Sequence, residues 1–213
     1  MKNFFTVMMI CFTGFFLFSC ASLQEKGSRQ HGNPAVAPET PPVIPEPPMP
    51  PELIMGKGKV SAGLLASFLL MNNIKQDIDF LQSLSAFYIE EAACEGVNHD
   101  VAFSQMCLET GFLRYGGLVL PEWNNFCGLG AIGPEQPGLV FPDVQTGVRA
   151  HIQHLKAYAS AEPLNGDLVD PRYRYVKLGS SPTIYGLAGT WAADKLYSEK
   201  VAAIIKRLYE FSF

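Results

Sequence analysis

QMCLETGFLRYGG, Gln105 to Gly117, sets one carboxylate, Glu109, at the end of what otherwise reads as a buried helix. Asn98 is placed to cap that helix and Gly111 to end it, which predicts a helix over residues 99–110. Val101, Ala102, Gln105, Met106 and Glu109 then share one face, and Glu109 closes a mostly apolar stripe. A negative charge there is unfavourable twice: it is desolvated, and it sits at the negative end of the helix dipole. Both effects raise its pKa, which is what a general acid needs to hold a proton near neutral pH. Spacing alone leaves two plainer readings open, an ion pair with Arg114 and a solvated helix end.

Before that stretch, Ser61 is a plausible cap for a helix over LLASFLLMN, which breaks at Asn72-Asn73. A longer helix is predicted over residues 77–95, with Ile78, Leu81, Leu84, Ser85 and Tyr88 at helical spacing and Gly96 in the position that wants a left-handed residue. After it, residues 116–143 hold six glycines and four prolines, too many for a helix. Two short β-like runs there, 126–129 and 138–141, predict a small hairpin. Asp143 reads as the N-cap of a helix over 144–159, residues 163–189 as loop and turn, and 197–210 as the last helix. The expected fold is α+β and mostly helical, a domain over residues 60–213 whose hairpin walls a cleft.

The chain opens MKNFFTVMMICFTGFFLFSC, with one Lys and then an apolar run over residues 4–18. That run is short for a membrane span and fits the core of a secretory signal. It ends in Leu17-Phe18-Ser19-Cys20, which resembles the lipobox of bacterial lipoproteins. Residues 1–19 are therefore expected to be a signal peptide, with Cys20 as the lipidated residue. Removing them takes away Lys2 and no acid, one unit more negative than the −4 of the whole chain. No basic block exists, so nucleic acid is excluded as an expected partner, and membrane affinity is left to the lipid. Nine of the sixteen prolines fall over residues 34–51. Such a stretch prefers extended polyproline II and reaches ~55 Å at ~3.1 Å per residue. Residues 20–59 thus read as a semi-rigid tether.

The residues around Glu109 carry a resemblance. AFSQMCLETGFLRYGG, followed by Trp123-Asn124-Asn125-Phe126-Cys127-Gly128-Leu129-Gly130, resembles the glucosaminidase family of cell-wall hydrolases, glycoside hydrolase family 73, in which a Q-x-x-x-E-[ST]-G helix end precedes an N-N-x-F/C-G-[IL] segment. PRYRYV, LAGTWA and YSEKVAAII resemble the family's C-terminal part. The resemblance implies a lysozyme-like fold and hydrolysis of the β-1,4 bond after N-acetylglucosamine in peptidoglycan glycan strands. It implies Glu109 as the general acid, and Asn124, Asn125 and Phe126 as shaping the sugar cleft through hydrogen bonds and contact. Trp123 offers an aromatic face to a sugar or packs the hairpin. Trp191, in TWAAD where the family often places a Tyr, supplies a stacking surface or core packing.

Ordinary glycosidases use a second carboxylate. The stretch GAIGPEQPGLVFPD offers Glu135, between two prolines at the expected hairpin tip, and Asp143. A mechanism in which the substrate's own acetamido group is the nucleophile needs neither. A muramidase or a lytic transglycosylase would use a Glu on a similar fold, and a non-catalytic wall-binding lipoprotein would keep the fold without turnover. His151 and His154 form H-x-x-H, yet no H-E-x-x-H pattern supports zinc with Cys127, so no metal and no cofactor is expected. His151 reads as a core residue. Cys107 and Cys127 lack the local signature of a nucleophile. With Cys94 they read as small core residues, although export would permit one disulfide among the three.

Overall fold

A helix buried along all but its last two residues runs through the middle of the domain. In a computed structural model describing residues 46–213, every side chain from His99 to Cys107 is inaccessible or nearly so. The expected signal peptide, Cys20 and the proline-rich stretch to residue 45 lie outside the described residues. The helices are α1 (Ala62–Asn72), α2 (Ile78–Glu95), α3 (His99–Glu109), α4 (Val144–Ala159) and α5 (Tyr197–Ser212). Short 3-10 turns occupy Pro121–Trp123, Tyr173–Tyr175 and Ile184–Leu187. Helix starts follow the cap chemistry: Asp77, Asn98 and Asp143 accept from Phe80 N, Asp100 N and Thr146 N. Ser61 precedes α1 without donating or accepting a side-chain cap bond. Gly96 ends α2 in the left-handed region at φ 74°.

α2 packs against α1 on one side and α4 on the other, and α3 packs against α5. The core joins Phe68 of α1, Leu84 and Tyr88 of α2, Phe103 and Met106 of α3, Ile152 of α4 and Ile205 of α5. Along the α2–α4 seam, Lys156 Nζ meets Glu95 Oε2 at 2.8 Å with both side chains almost fully buried. Backbone N–H groups of Asn165 and Gly166 also donate to that carboxylate. A buried ion pair is tolerable only when its remaining lone pairs are satisfied in this way.

Two expectations are corrected. Among the described residues no β-strand forms; the expected hairpin reduces to a single bridge between Gly133 and Gln136. Gly128, Gly130 and Gly138 adopt φ of 68°, 77° and 134°, which interrupts any extended ladder. The two runs meet through one backbone bond, Leu139 N to Leu129 O at 2.9 Å. The side chain of Asn125 takes over the ladder's task. Its Nδ2 donates to Leu129 O and Leu139 O, and its Oδ1 accepts from Leu129 N.

The boundary drawn after residue 59 also differs from the packing. Ile54 is fully buried, its N–H donates to Pro182 O, and its carbonyl accepts from Asn98 N. Asp100, itself inaccessible, accepts from Lys59 N at 2.6 Å, Val60 N at 3.3 Å and Tyr209 Oη at 2.9 Å. The packed domain therefore takes in residues 52–59. Proline density concealed this, because a chain without helix or strand can still dock one aliphatic side chain.

No helix among the described residues is long and apolar enough to cross a membrane. Replacing Asp100 by Ala strands two backbone N–H groups and a phenol in the interior. We expect it to lower unfolding free energy by about 3 kcal/mol or more, read from the midpoint in urea. Asp194→Ala, which removes an exposed pair with Lys200, is expected to leave that midpoint nearly unchanged.

Candidate active site

α3 ends immediately beyond Glu109 because the chain reverses its handedness. Gly111, Phe112 and Leu113 sit at φ 58°, 58° and 60°, and Tyr115 at 51°. For the non-glycine residues this costs on the order of 1–2 kcal/mol each and needs bracing from outside. Thr110 Oγ1 donates to Met106 O and accepts from Leu113 N. From the loop between α1 and α2, Asn73 donates to Phe112 O and Gln76 to Leu113 O. Arg114 turns away from Glu109, donating to Gly111 O and Asn72 O. The ion pair with Glu109 is therefore not made; the arginine clamps the left-handed turn instead.

Glu109 lies where two hollows meet. One, of about 310 Å³, is walled by Thr110, Tyr115, the glycines 116–117 and Val119. The other, of about 380 Å³, is walled by Leu129, Ile132, His154, Tyr158, Arg172 and Trp191. Both volumes fall at the lower end of the roughly 300–1,000 Å³ of small-molecule sites. Among the described residues, Glu109 is the one carboxylate lining either hollow.

Two donors hold its Oε1. Trp191 Nε1 donates at 2.9 Å and Tyr197 Oη at 2.5 Å. Trp191 is presented by a tight turn in which Gly189 N donates to Ala192 O and Trp191 N to Leu187 O. Its ring packs with those of His151, His154 and Tyr158 at centroid distances of 5.2–5.8 Å. Tyr197 is the first residue of α5. Oε2 has no partner among the described residues.

The side chain is open to the cleft, yet it sits at a concave floor where protein replaces much of its hydration. Desolvation therefore raises its pKa above the usual carboxylate value, and the bonds from Tyr197 and Trp191 offset part of that rise. Tyr197 is pushed well above an ordinary phenol by burial and by the neighbouring carboxylate, so it remains a donor.

The other singled-out residues divide sharply. Trp191 is beside Glu109. Asn125 lines the first hollow, but its amide is already bonded to backbone on both atoms and has a structural task there. Asn124 takes φ 52°, donates to Phe141 O, and packs its carbonyl against Gly147 of α4, where no Cβ would fit. Phe126 is in the core. Trp123 is half-buried in the 3-10 turn, its carbonyl accepting from Phe141 N, and it lines neither hollow. Glu135 is exposed at the tip of the Gly133–Gln136 turn, and Asp143 caps α4; neither lines a hollow with Glu109.

His151 is buried, and His154 pairs with Asp170 at 2.7 Å. Among the described residues no cluster suits a metal ion. Among the described residues the three cysteines are free, Cys94 exposed and Cys107 and Cys127 buried. Burial pushes the thiols of Cys107 and Cys127 well above their ordinary value, which leaves neither as a thiolate nucleophile. Sequence reasoning missed Tyr197, the phenol it sought at the position of Trp191. The residue stood in the quoted YSEKVAAII, six positions further on.

A family match covers the same residues. The Glucosaminidase model, described as mannosyl-glycoprotein endo-beta-N-acetylglucosaminidase, matches residues 85–210. An uncharacterized protein of Borreliella burgdorferi is 42% identical over 159 residues, 75% of this chain and 78% of its own length. Autolysin E of S. aureus in complex with the muropeptide NAM-L-Ala-D-iGlu superposes with TM-score 0.48 at 14% identity, over 76% of this chain and 72% of its own. A catalytic mutant of the same autolysin, in complex with the disaccharide NAG-NAM, gives TM-score 0.48 at 14% identity, over 78% and 74%. With the family match running from the middle of α2 into the last turns of α5, across Glu109, Trp191 and Tyr197 alike, the chain belongs to the glucosaminidase family and is a glycoside hydrolase.

Proposed function

We propose that the protein is a peptidoglycan hydrolase that cleaves the β-1,4 bond after N-acetylglucosamine, with Glu109 as general acid. The observation that carries this reading is the Glu109 carboxyl itself, placed where two hollows meet. Oε1 is tied by two donors, and desolvation favours its proton. A glycan strand lying across both hollows would present its glycosidic oxygen to Oε2.

The two hollows differ in charge, which supports a substrate that is neutral on one side and acidic on the other. Apart from Glu109, the first is lined by uncharged side chains. The second holds the half-buried Arg172, whose guanidinium lies 4.9 Å from the centroid of Tyr175 and forms no ion pair among the described residues. Sugars bearing peptide stems with free carboxylates suit that cation. Export through residues 1–19, a lipid on Cys20 and a proline-rich tether would hold the domain at a cell-envelope membrane within reach of the wall.

The lone carboxylate supports substrate assistance over a two-carboxylate mechanism. The acetamido oxygen of the N-acetylglucosamine attacks its own C1 as the C1–oxygen bond breaks, and the leaving oxygen takes the proton from Glu109 Oε2. The Glu109 carboxylate then removes a proton from the water that opens the oxazolinium ring, which restores the acid. Glu135, at an exposed turn tip, is not required.

The test is digestion of peptidoglycan with the purified chain, followed by reduction and mass spectrometry of the fragments. Reducible N-acetylglucosamine ends are expected. Muramic ends would make it a muramidase, and anhydro ends a transglycosylase. Glu109→Gln is expected to lower turnover by about 10²-fold or more with KM little changed; undiminished turnover would sink the assignment. Glu135→Gln is expected to leave turnover within about threefold, since general acid–base groups are worth 10² or more. Trp191→Phe removes a donor that favours ionised Glu109, so its pKa rises further. The acid then keeps its proton to higher pH, and the basic limb of the pH–rate profile is expected to move upward.

A further inference from the structure

Behind Glu109 runs a line of buried polar side chains with no direct part in that reaction. Tyr88 Oη lies 2.9 Å from His151 Nδ1, and His151 Nε2 lies 3.0 Å from Gln105 Oε1. Gln105 Nε2 is 2.8 Å from Tyr197 Oη, which reaches Glu109 Oε1 at 2.5 Å. The four residues come from α2, α4, α3 and α5. Tyr88, His151 and Gln105 are wholly inaccessible and Tyr197 nearly so. Polar groups so deep cost free energy unless every one is paired, and here each has its partner.

With the Gln105 amide oriented as in the structure, its Nε2 toward Tyr197, the donor and acceptor rules give the line one direction. The Gln105 Nε2 group only donates, so the Tyr197 oxygen accepts from it, and Oε1 accepts from the indole N–H of Trp191. Tyr197 has one proton and gives it to Oε1. The other end of that amide is a carbonyl, so His151 must carry its proton on Nε2. Desolvation, and then the charge of His154, lower the His151 pKa to about 3. A neutral ring has one N–H, which leaves Nδ1 to accept from Tyr88. The Tyr88 hydroxyl is held well above its ordinary pKa by burial and stays protonated.

We propose that Tyr88, His151 and Gln105 are positioning residues, a polarised relay that keeps the Tyr197 proton on Glu109 Oε1 and so reserves Oε2 for the acid proton. This rests on the reading of Glu109 as general acid. The opposite polarity is the alternative the relay excludes. In it the Gln105 amide is turned over, Tyr197 donates inward to Gln105, and His151 donates from Nδ1 to Tyr88. Glu109 would then have to place its own proton on Oε1, pointing into the protein and away from the substrate. The titratable groups facing the relay are His154 beside His151, and Cys107, Cys127 and Tyr115 around Tyr88. Burial raises the pKa of both thiols and of Tyr115, so these three remain neutral and do not reset the direction.

The experiment reads the His151 tautomer directly. The full chain in detergent, ¹⁵N-labelled at histidine, is examined by long-range ¹H–¹⁵N correlation across about pH 5 to 8, where an ordinary histidine titrates. The native chain is expected to show a neutral, non-titrating ring protonated on Nε2. A ring protonated on Nδ1, or an imidazolium in that range, overturns the proposal. Tyr88→Phe removes one oxygen and frees Nδ1 of its donor. The Nδ1–H tautomer should then appear, turnover should fall about tenfold, the scale of outer-shell partners elsewhere, and KM should stay unchanged. Because Tyr197 then donates less to Glu109, the basic limb of the pH–rate profile should move upward. A variant that loses thermal stability while its limb stays in place also overturns the relay, leaving Tyr88 a packing residue. If Tyr88→Phe does not fold, the native tautomer alone decides. Failure of the Glu109 reading would instead appear as turnover retained in Glu109→Gln, which the tautomer does not affect.

Discussion

The rest of this domain depends on the burial of α3 from His99 to Cys107. Helices on several sides remove its flanks from water, and apart from Ser104, whose Oγ has no partner among the described residues, its buried polar side chains find partners inside the protein. Asp100 does so at one end, by accepting from the backbone of residues 59 and 60 and from Tyr209. Gln105 does so in the middle, through His151 and Tyr197. Glu109, at the other end, has one oxygen satisfied by protein and one left for the cleft. The same constraint thus ties down the N-terminal segment, joins four helices through polar contacts, and sets up the carboxyl where the chain emerges.

The cleft is made by the abrupt end of that helix. A run of left-handed residues directly after Glu109 is expensive, and it is held by side chains from the α1–α2 loop and by Arg114. A helix that frayed gradually would let its last carboxylate sample solvent. The braced turn fixes Glu109 against Trp191 and Tyr197 and swings residues 115–119 round as one wall. Local strain and functional geometry are therefore the same feature seen from two sides.

Helices were legible in the sequence because their signals are local. Caps at Asn98 and Asp143, stops at Gly96 and Gly111, and apolar periodicity place the helices within a residue or two. The segment between α3 and α4 was less legible. Its two apolar runs alternate like strands, yet three glycines in positive φ and the amide of Asn125 make a loop lobe with one bridge. Side chain-to-backbone bonds over four and fourteen residues have no periodic trace to read. Ile54 was missed for a similar reason, since one docked side chain among prolines carries no pattern.

By itself, the sequence determined that a carboxylate would end a buried helix, because residue spacing on a helix fixes which side chains share a face. The family resemblance pointed to Asn125 as a sugar-cleft residue; its amide's bonds to Leu129 and Leu139 could not be read from spacing. Only the tertiary structure decided the company of Glu109. Tyr197 is 88 residues away along the chain and Trp191 is 82. Gln105 reaches His151 across 46 residues and His151 reaches Tyr88 across 63. Such pairings are set by which helices pack together, and packing is chosen by the whole apolar surface of the domain. Glu135, near in sequence to the motif and plausible by type, was left at an exposed turn by that same packing.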